Sequence, residues 1–439
     1  MKNLIVFISM LICMSFLSCS SIPKFLETYT PAIKTGGMII PNEFILTWHD
    51  GDASLNQYLL QLENYGYKEI RRCNCEPIQV LLRSNPGAQS IDDVANKRGA
   101  KAKTGSSGGS KNSLYPNIIL DLALPPKVIN PNAVSSNVIN TEAVELTESI
   151  SSEVDSRNSL AQVRIGILDT PFDLKRRGYA RYRLYDKDLP PSDDCSYPAM
   201  STSSSAEINH GTVVAETVIH QVRKWQTDNR SQIWENLPNP GNYEFKIRSF
   251  PVLDDQGKGD LFTAICELRR AAAMNMHVIV TSWGFYKPTD LRPAVVEDYN
   301  LMLIEFKNCL KRVGARGTAI VAAAGNNGLE ITAEGRPFYP ASFSSHADIA
   351  PEILITTGAL EVQESNETHK TAYSNYGKGV VSVGALGSLS IQTTDNQGTS
   401  FAAPRVAPWV GLVRAIHGSK ASKYPTAFPP DIYPMDNQQ

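Results

Sequence analysis

Apolar and polar positions alternate with two different periods along the chain, in two patterned stretches separated by one with neither period. In the first stretch, about residues 41–124, Phe44-Ile45-Leu46-Thr47-Trp48 reads as a strand. Ser54 then precedes Leu55, Tyr58, Leu59 and Leu62 at helical spacing, and Gly66 stands where a glycine ends a helix by taking a left-handed conformation. Tyr67 to Cys73 and Pro77 to Leu82 are two extended runs with Asn74 near the turn. A weaker helical pattern covers Ile91 to Lys97, a Gly/Ser-rich loop runs from Gly99 to Ser113, and Ile118 to Leu122 offers a last strand. The order predicts a small α+β domain.

From Pro125 to about Ser159 the chain is rich in Pro, Asn, Ser, Glu and Val and shows no sustained period, the pattern of an exposed linker open to proteases. Beyond Gln162, short apolar runs return at Val163 to Leu168, Lys246 to Leu253, His277 to Ser282, Thr318 to Ala323 and Glu352 to Ala359. Some of the segments between them have helical periodicity, as at Leu261, Ile265, Leu268 and Ala272. Strands alternating with helices predict a doubly wound α/β domain, its mostly parallel sheet covered on both faces.

The 439 residues suit two folded units, and 42% hydrophobic with 20% charged residues is the balance of a globular protein. A formal charge of -2 points away from nucleic acid as a partner. After the first residues no apolar run reaches the roughly 20 residues needed to span a bilayer. The start itself, with Lys2 before an apolar stretch from Leu4 to Leu17, reads as a secretory signal peptide over residues 1–18. It ends in Phe16-Leu17-Ser18-Cys19, which resembles a bacterial lipoprotein signal; the resemblance implies Cys19 as the lipid-modified first residue and membrane anchor of an exported protein in the cell envelope, and an ordinary signal peptide with an incidental Cys19 is the other reading. Export permits disulfides, and Cys73, Cys75, Cys195, Cys266 and Cys309 are an odd set, so one stays free if all bonds are internal. Cys73-Asn74-Cys75 lacks the second such pair a metal site would use and reads as structural.

Three motifs carry chemistry. Val163 to Leu168 runs straight into Asp169-Thr170, which puts a carboxylate at the C-terminal end of a strand, where open α/β sheets build their sites. Asn209-His210-Gly211-Thr212 sets an imidazole at the start of a helix, and Gly398-Thr399-Ser400-Phe401-Ala402-Ala403-Pro404 places a serine on a turn leading into another. A serine hydroxyl is a weak nucleophile until a base takes its proton; histidine titrates in the right range, and a carboxylate fixes the imidazole tautomer.

The order Asp, His, Ser with these surroundings resembles the subtilases, the subtilisin-like serine proteases, over about residues 161–439. Val321 to Gly328, Tyr339-Pro340-Ala341, Thr356 to Ala359 and Tyr373 to Gly377 are similar to that family in the same order. The resemblance implies a serine endopeptidase acting on protein or peptide substrates, with Ser400 as nucleophile, His210 as base then acid, and Asp169 orienting His210. It further implies that Asn326 donates to the oxyanion beside the Ser400 N–H, and that substrate lies as an extended strand along Ser282-Trp283-Gly284, with contacts at Ser282 and Gly284. Trp283 fits either a pocket wall or the core. The first domain is similar to a ferredoxin-like subtilase prodomain, and autocleavage near residues 125–160 is expected to release the protease from it. The chemistry requires no cofactor; no Asp-rich calcium loop is evident and no metal ligand is assigned, although the family has room for structural calcium.

Some positions depart from the family. Pro171-Phe172 follows Asp169-Thr170 where glycine is usual, and Val213 and Arg405 stand where histidines are common. Substrate preference and activity level are the properties these departures touch. Two other readings stand beside the leading one: a catalytically silent lipoprotein that binds peptides in the same cleft, and a dedicated protease that cuts one envelope partner.

Overall fold

The computed structural model describes residues 39–49, 52–89, 112–122, 160–174, 179–185, 209–227, 239–288, 293–333, 335–363, 367–391, 394–418 and 431–435. The expected signal peptide, Cys19, the helix at residues 91–97 and the linker up to residue 159 lie outside them.

The first unit comprises β1 (Ile39–Trp48), α1 (Asp52–Asn64), β2 (Tyr67–Cys73), β3 (Ile78–Ser84) and β4 (Ser113–Leu122). Its strands pair antiparallel in the order β4-β1-β3-β2, the ferredoxin-like arrangement. Phe44, Leu46 and Trp48 face Leu55, Leu59 and Leu62 in one core, because alternate residues of β1 share the face that α1 covers. Strand β4 begins at Ser113, five residues earlier than its apolar run suggests, and it includes Pro116. The proline is tolerated because β4 at that level is paired only to β1, meeting other strands from Ile119 onward.

The second unit is built on a sheet in the order β17-β14-β12-β10-β8-β5-β6. Its members are β5 (Ala161–Asp169), β6 (Tyr243–Pro251), β8 (Val278–Thr281), β10 (Ala319–Ala323), β12 (Leu354–Val362), β14 (Val383–Leu386) and β17 (Ile432–Pro434). All are parallel except β17, and β13 (Thr368–Lys370) adds antiparallel to β12. The five strands read from apolar runs lie in this sheet; β14 and β17 were too short to be read. From β5 the chain steps outward to β6, then returns past it through β8, β10, β12 and β14, so the strand order reverses between β5 and β8. That switch point is where open α/β sheets form a crevice.

Five further elements complete the frame: β7 (Lys258–Asp260), β9 (Trp283–Tyr286) and β11 (Phe338–Tyr339), with the hairpin of β15 (Ser388–Ile391) and β16 (Thr394–Gln397). The helices are α2 (His210–Thr227), α3 (Leu261–Ala273), α4 (Pro293–Ala315) and α5 (Thr399–His417). Helix α5 is buried on all sides from Thr399 to Arg414, as its nearly unbroken apolar sequence requires.

The two units share a sheet. Strand β4 pairs antiparallel with β7, matching Ile119 to Asp260, Leu120 to Gly259 and Asp121 to Lys258. It also pairs with β9, matching Asp121 to Gly284 and Leu122 to Trp283. Polar contacts seal the remaining interface. Arg71 reaches Asp260 at 2.8 Å and Thr263 at 2.9 Å, and buried Asn117 accepts from the Phe262 N–H at the start of α3 at 3.2 Å. Asp260 is itself the N-cap of α3, accepting from Thr263 N at 2.9 Å.

His277 links three strands: its Nδ1 accepts from Arg164 N at 3.0 Å, its N–H donates to Arg164 O, and its carbonyl accepts from Ala319 N. Burial, reinforced by the Arg164 charge, lowers its pKa from 6.5 to about 4. The unfolded chain therefore binds a proton at 277 as pH falls through 6.5 while the folded one does not, so this stability is present above 6.5 and lost as pH falls toward 4. His277→Asn, whose amide oxygen can accept the same N–H, is expected to show a shallower fall in thermal midpoint than wild type between about pH 7 and pH 4.5. Parallel curves for the two proteins would contradict this.

Candidate functional site

The crevice at the switch point gathers Asp169 from the end of β5, Ser282 from just past β8, and the first turns of α2 and α5. Asp169 is fully buried, and its Oδ1 accepts from Thr170 N at 2.7 Å. Its carbonyl accepts from Val252 N at 3.0 Å, which fixes the chain direction at the strand end.

His210 opens α2. Asn209 caps that helix, accepting from Thr212 N at 3.0 Å, and donates its amide to the Pro171 carbonyl. Gly211 N donates to Thr170 Oγ1 at 2.8 Å, and a Cβ at Gly211 would come within 2.2 Å of Thr170 O. Glycine is therefore required for α2 to approach the end of β5 this closely, and the approach delivers the imidazole: His210 Nδ1 lies 2.8 Å and 3.0 Å from the two Asp169 oxygens. An ionised carboxylate only accepts, so Nδ1 carries the proton and Nε2 is left basic. That Nε2 is buried and without a hydrogen-bond partner in the structure, while the ring lies against Phe401.

Ser400 sits in the first turn of α5. Gly398 before it has φ 149° and ψ 161°, a conformation essentially confined to glycine. Pro404 has no N–H for the Ser400 carbonyl four residues back, and that carbonyl accepts instead from Ser282 Oγ at 3.1 Å. In return Ser400 Oγ donates to Ser282 O at 3.4 Å. The serine hydroxyl thus stands at the base of the crevice beside Ser282, and catalytic hydrogen bonds of this kind are often long until substrate is bound.

Asn326 is held from two sides. Its Oδ1 accepts from Thr399 N at 2.8 Å, and Thr399 Oγ1 accepts from Gly325 N at 3.1 Å, tying the turn to the start of α5. Asn375, fully buried, donates to Ala324 O at 2.8 Å and accepts from Asn327 N at 3.1 Å and Leu329 N at 3.0 Å. Tyr286 OH joins this network, accepting from Asn375 at 2.7 Å and donating to Asn327 at 2.8 Å. The hydrogen-bonding roles of Thr170, Thr399, Tyr286 and Asn375 were not legible in sequence; Thr170, Thr399 and Asn375 lie in motifs, but the target of Asn375 lies about fifty residues away.

Ser282 and Gly284 flank Trp283 on β9, where β4 is paired. Trp283 is a core residue, fully buried, with Nε1 donating to Leu168 O at 3.0 Å. Arg405 is also buried, bonded to Gln221 at 3.4 Å and to the Ser388 carbonyl at 2.9 Å. Among the described residues no group of three or more His, Cys, Asp or Glu is placed to hold a metal ion. A basic imidazole, a nearby hydroxyl and an anchored amide beside a helix N-terminus form an arrangement suited to acyl transfer.

A sequence model of the subtilase family matches residues 161–424. A thermophilic serine proteinase from Bacillus sp. (strain AK1) is 27% identical over 263 residues, covering 59% of this chain and 52% of the relative, so the chain spans about half of that protein's length. An epidermin leader peptide processing serine protease from Staphylococcus aureus aligns over 86% of this chain and 90% of its own, with TM-score 0.50 and 15% identity, a likeness of fold. Fervidolysin from Fervidobacterium pennivorans, a keratinolytic enzyme related to subtilisin, aligns over 88% of this chain and 57% of its own, with TM-score 0.47 and 19% identity.

Because Asn375 grips the chain on both sides of Asn326, Asn375→Ala is expected to lower turnover roughly tenfold or more with little change in KM. In an Asn326→Ala background the same change should add almost nothing, since the group it positions is gone. Additive losses would mean that Asn375 acts only through general stability.

Proposed function

The chain belongs to the subtilase family, and on that premise we propose that it is an exported, lipid-anchored serine endopeptidase, made as a zymogen whose own N-terminal domain fills its cleft. Ser400 Oγ attacks the scissile carbonyl as His210 Nε2 takes its proton, and Asp169 stabilises the imidazolium. The oxyanion is received by the Asn326 amide and the Ser400 N–H, at the positive end of α5. His210 then protonates the leaving amine, and water, deprotonated by the same imidazole, releases the acyl group.

The observation that carries this reading is the path of β4. It runs antiparallel between β7 and β9, the lane an extended peptide would take, with Asp121 opposite Gly284 and Leu122 opposite Trp283. Ser282, the residue before Trp283, carries a carbonyl 3.4 Å from Ser400 Oγ, so the lane leads toward the nucleophile. Self-cleavage is proposed in the linker that follows, near residues 125–160.

The proposed anchor rests on Leu17-Ser18-Cys19 alone. It leaves the N-terminal domain on the membrane and frees the catalytic domain from it after the cut. A silent peptide-binding protein is the competing reading, favoured by the Ser400 hydroxyl donating to Ser282 O with no hydrogen bond to His210 Nε2 in the structure.

Intact mass of the full chain at neutral pH tests the proposal. Wild type is expected to yield a fragment beginning within about residues 125–160, and Ser400→Ala none. Lipid mass should sit on the fragment beginning at Cys19 and vanish in Cys19→Ser. Asn326→Ala should slow the cut roughly 100- to 1000-fold, the magnitude established for a subtilisin. If neither wild type nor Ser400→Ala changes, the silent-protein reading takes its place.

A further inference from the structure

Three cysteines are free and buried among the described residues: Cys73 on β2, Cys266 on α3 and Cys309 on α4. Cys309 donates weakly to Ile265 O at 3.8 Å. The other two meet across the boundary between the units. Alternate residues of β2 and its continuation, on one face of the strand, oppose successive turns of α3: Arg71 bonds Thr263, Cys73 is hydrogen-bonded to Cys266, and the Cys75 carbonyl accepts from Arg269. The thiol pair is thus set between two fixed contacts, and both sulfurs are excluded from solvent.

We propose that Cys73 and Cys266 form a reversible disulfide that fastens the N-terminal domain to the catalytic domain, so that cutting the linker alone does not open the cleft. This regulation rests on the protease reading above. The oxidant is a disulfide, small or protein-borne, of the kind met outside the cytoplasm. In the first exchange the Cys73 thiolate attacks one sulfur of that disulfide, forming a mixed disulfide and expelling one thiol. In the second the Cys266 thiolate attacks the Cys73 sulfur and expels the other. Two protein thiols are oxidised, one external disulfide is reduced to two thiols, and no other reactant is needed.

The surroundings favour Cys73 as the first nucleophile. The hydrogen bond from Cys266 draws its pKa down against the opposing effect of burial, and the Arg269 guanidinium acts in the same direction. Burial pushes Cys266 well up, which suits the thiol that acts second, once a sulfur is already held against it. Because neither thiol is exposed when the units are docked, exchange takes place as β2 settles onto α3. Thereafter the bond is protected until a reductant meets a transiently opened interface.

The test uses the full chain carrying Ser400→Ala, so that its own cleavage plays no part. After refolding in the presence of oxidised glutathione, free thiols are alkylated in denaturant and the protein is digested with trypsin without reductant. A linked pair of peptides, 73–83 with 259–269, is expected. It should disappear in Cys73→Ser and in Cys266→Ser and persist in Cys309→Ser. Cys75 lies in the same peptide and is itself disulfide-bonded, so persistence in Cys75→Ser assigns the link to Cys73. In that Cys75→Ser chain, cut in the linker by added protease, the two domains should run together on a non-reducing gel and separate with dithiothreitol. Full alkylation of Cys73 and Cys266 in the oxidised wild-type sequence would overturn the proposal whether or not the variants fold. A linked pair in a wild-type chain that never cuts itself would instead sink the protease reading and leave the thiol pair standing.

Discussion

Strand β4 satisfies two unpaired strand edges at once. Backbone N–H and C=O groups at a sheet edge need partners, and β7 and β9 each offer such a row to the space between them. Whatever lies there as an extended chain completes both ladders, and in this structure it is residues 119–122 of the same polypeptide. Main-chain pairing of this sort is tolerant of sequence, so the same groups that would bind a substrate also bind the protein's own strand. A tethered strand also acts at a high effective concentration, of order millimolar for short flexible linkers. On the proposed reading, latency follows from this geometry without any special inhibitory device.

The rest of the site is organised by two close approaches. At one, Gly211 lets α2 come against Thr170, and this sets the His210 ring on the Asp169 carboxylate. At the other, the start of α5 is fixed by Gly398, by the Asn326 side chain on Thr399 N, and by the exchange of hydrogen bonds between Ser282 and Ser400. Pro404 contributes by what it lacks, since a residue with an N–H could compete with Ser282 for the Ser400 carbonyl. Each side chain is held by neighbours that are themselves held, the condition under which prearranged dipoles can stabilise developing charge.

Much of this was legible in sequence because it is local. Val163 to Leu168 is a strand by its apolar run, Asp169 ends it, and the glycines beside His210 and Ser400 mark turns where side chains do not fit. The α1 face and strands β1 to β3 followed from period alone. What escaped reading is long-range. Nothing near Ser113 signals that β4 extends so far or pairs with Gly284, because register between distant strands leaves no local mark. Asn375 lies in a segment similar to the family, but its task shows only when the fold brings it to the turn that carries Asn326. Trp283 fitted a pocket wall and the core equally until Leu168 O was found at its indole N–H. Cys73 and Cys266 are isolated cysteines in sequence, 193 residues apart, and become a pair only when β2 packs on α3.

The central claim is that the nucleophile is competent and covered by the protein's own strand. A fluorophosphonate probe, which labels activated serines covalently, tests both halves together when applied to the full chain before and after the linker is cut and the N-terminal domain removed. The account predicts slow labelling of the intact chain, fast labelling at Ser400 once β4 has left, and none in Ser400→Ala. Equal labelling before and after removal would contradict the covering strand. No labelling in either state would contradict the nucleophile.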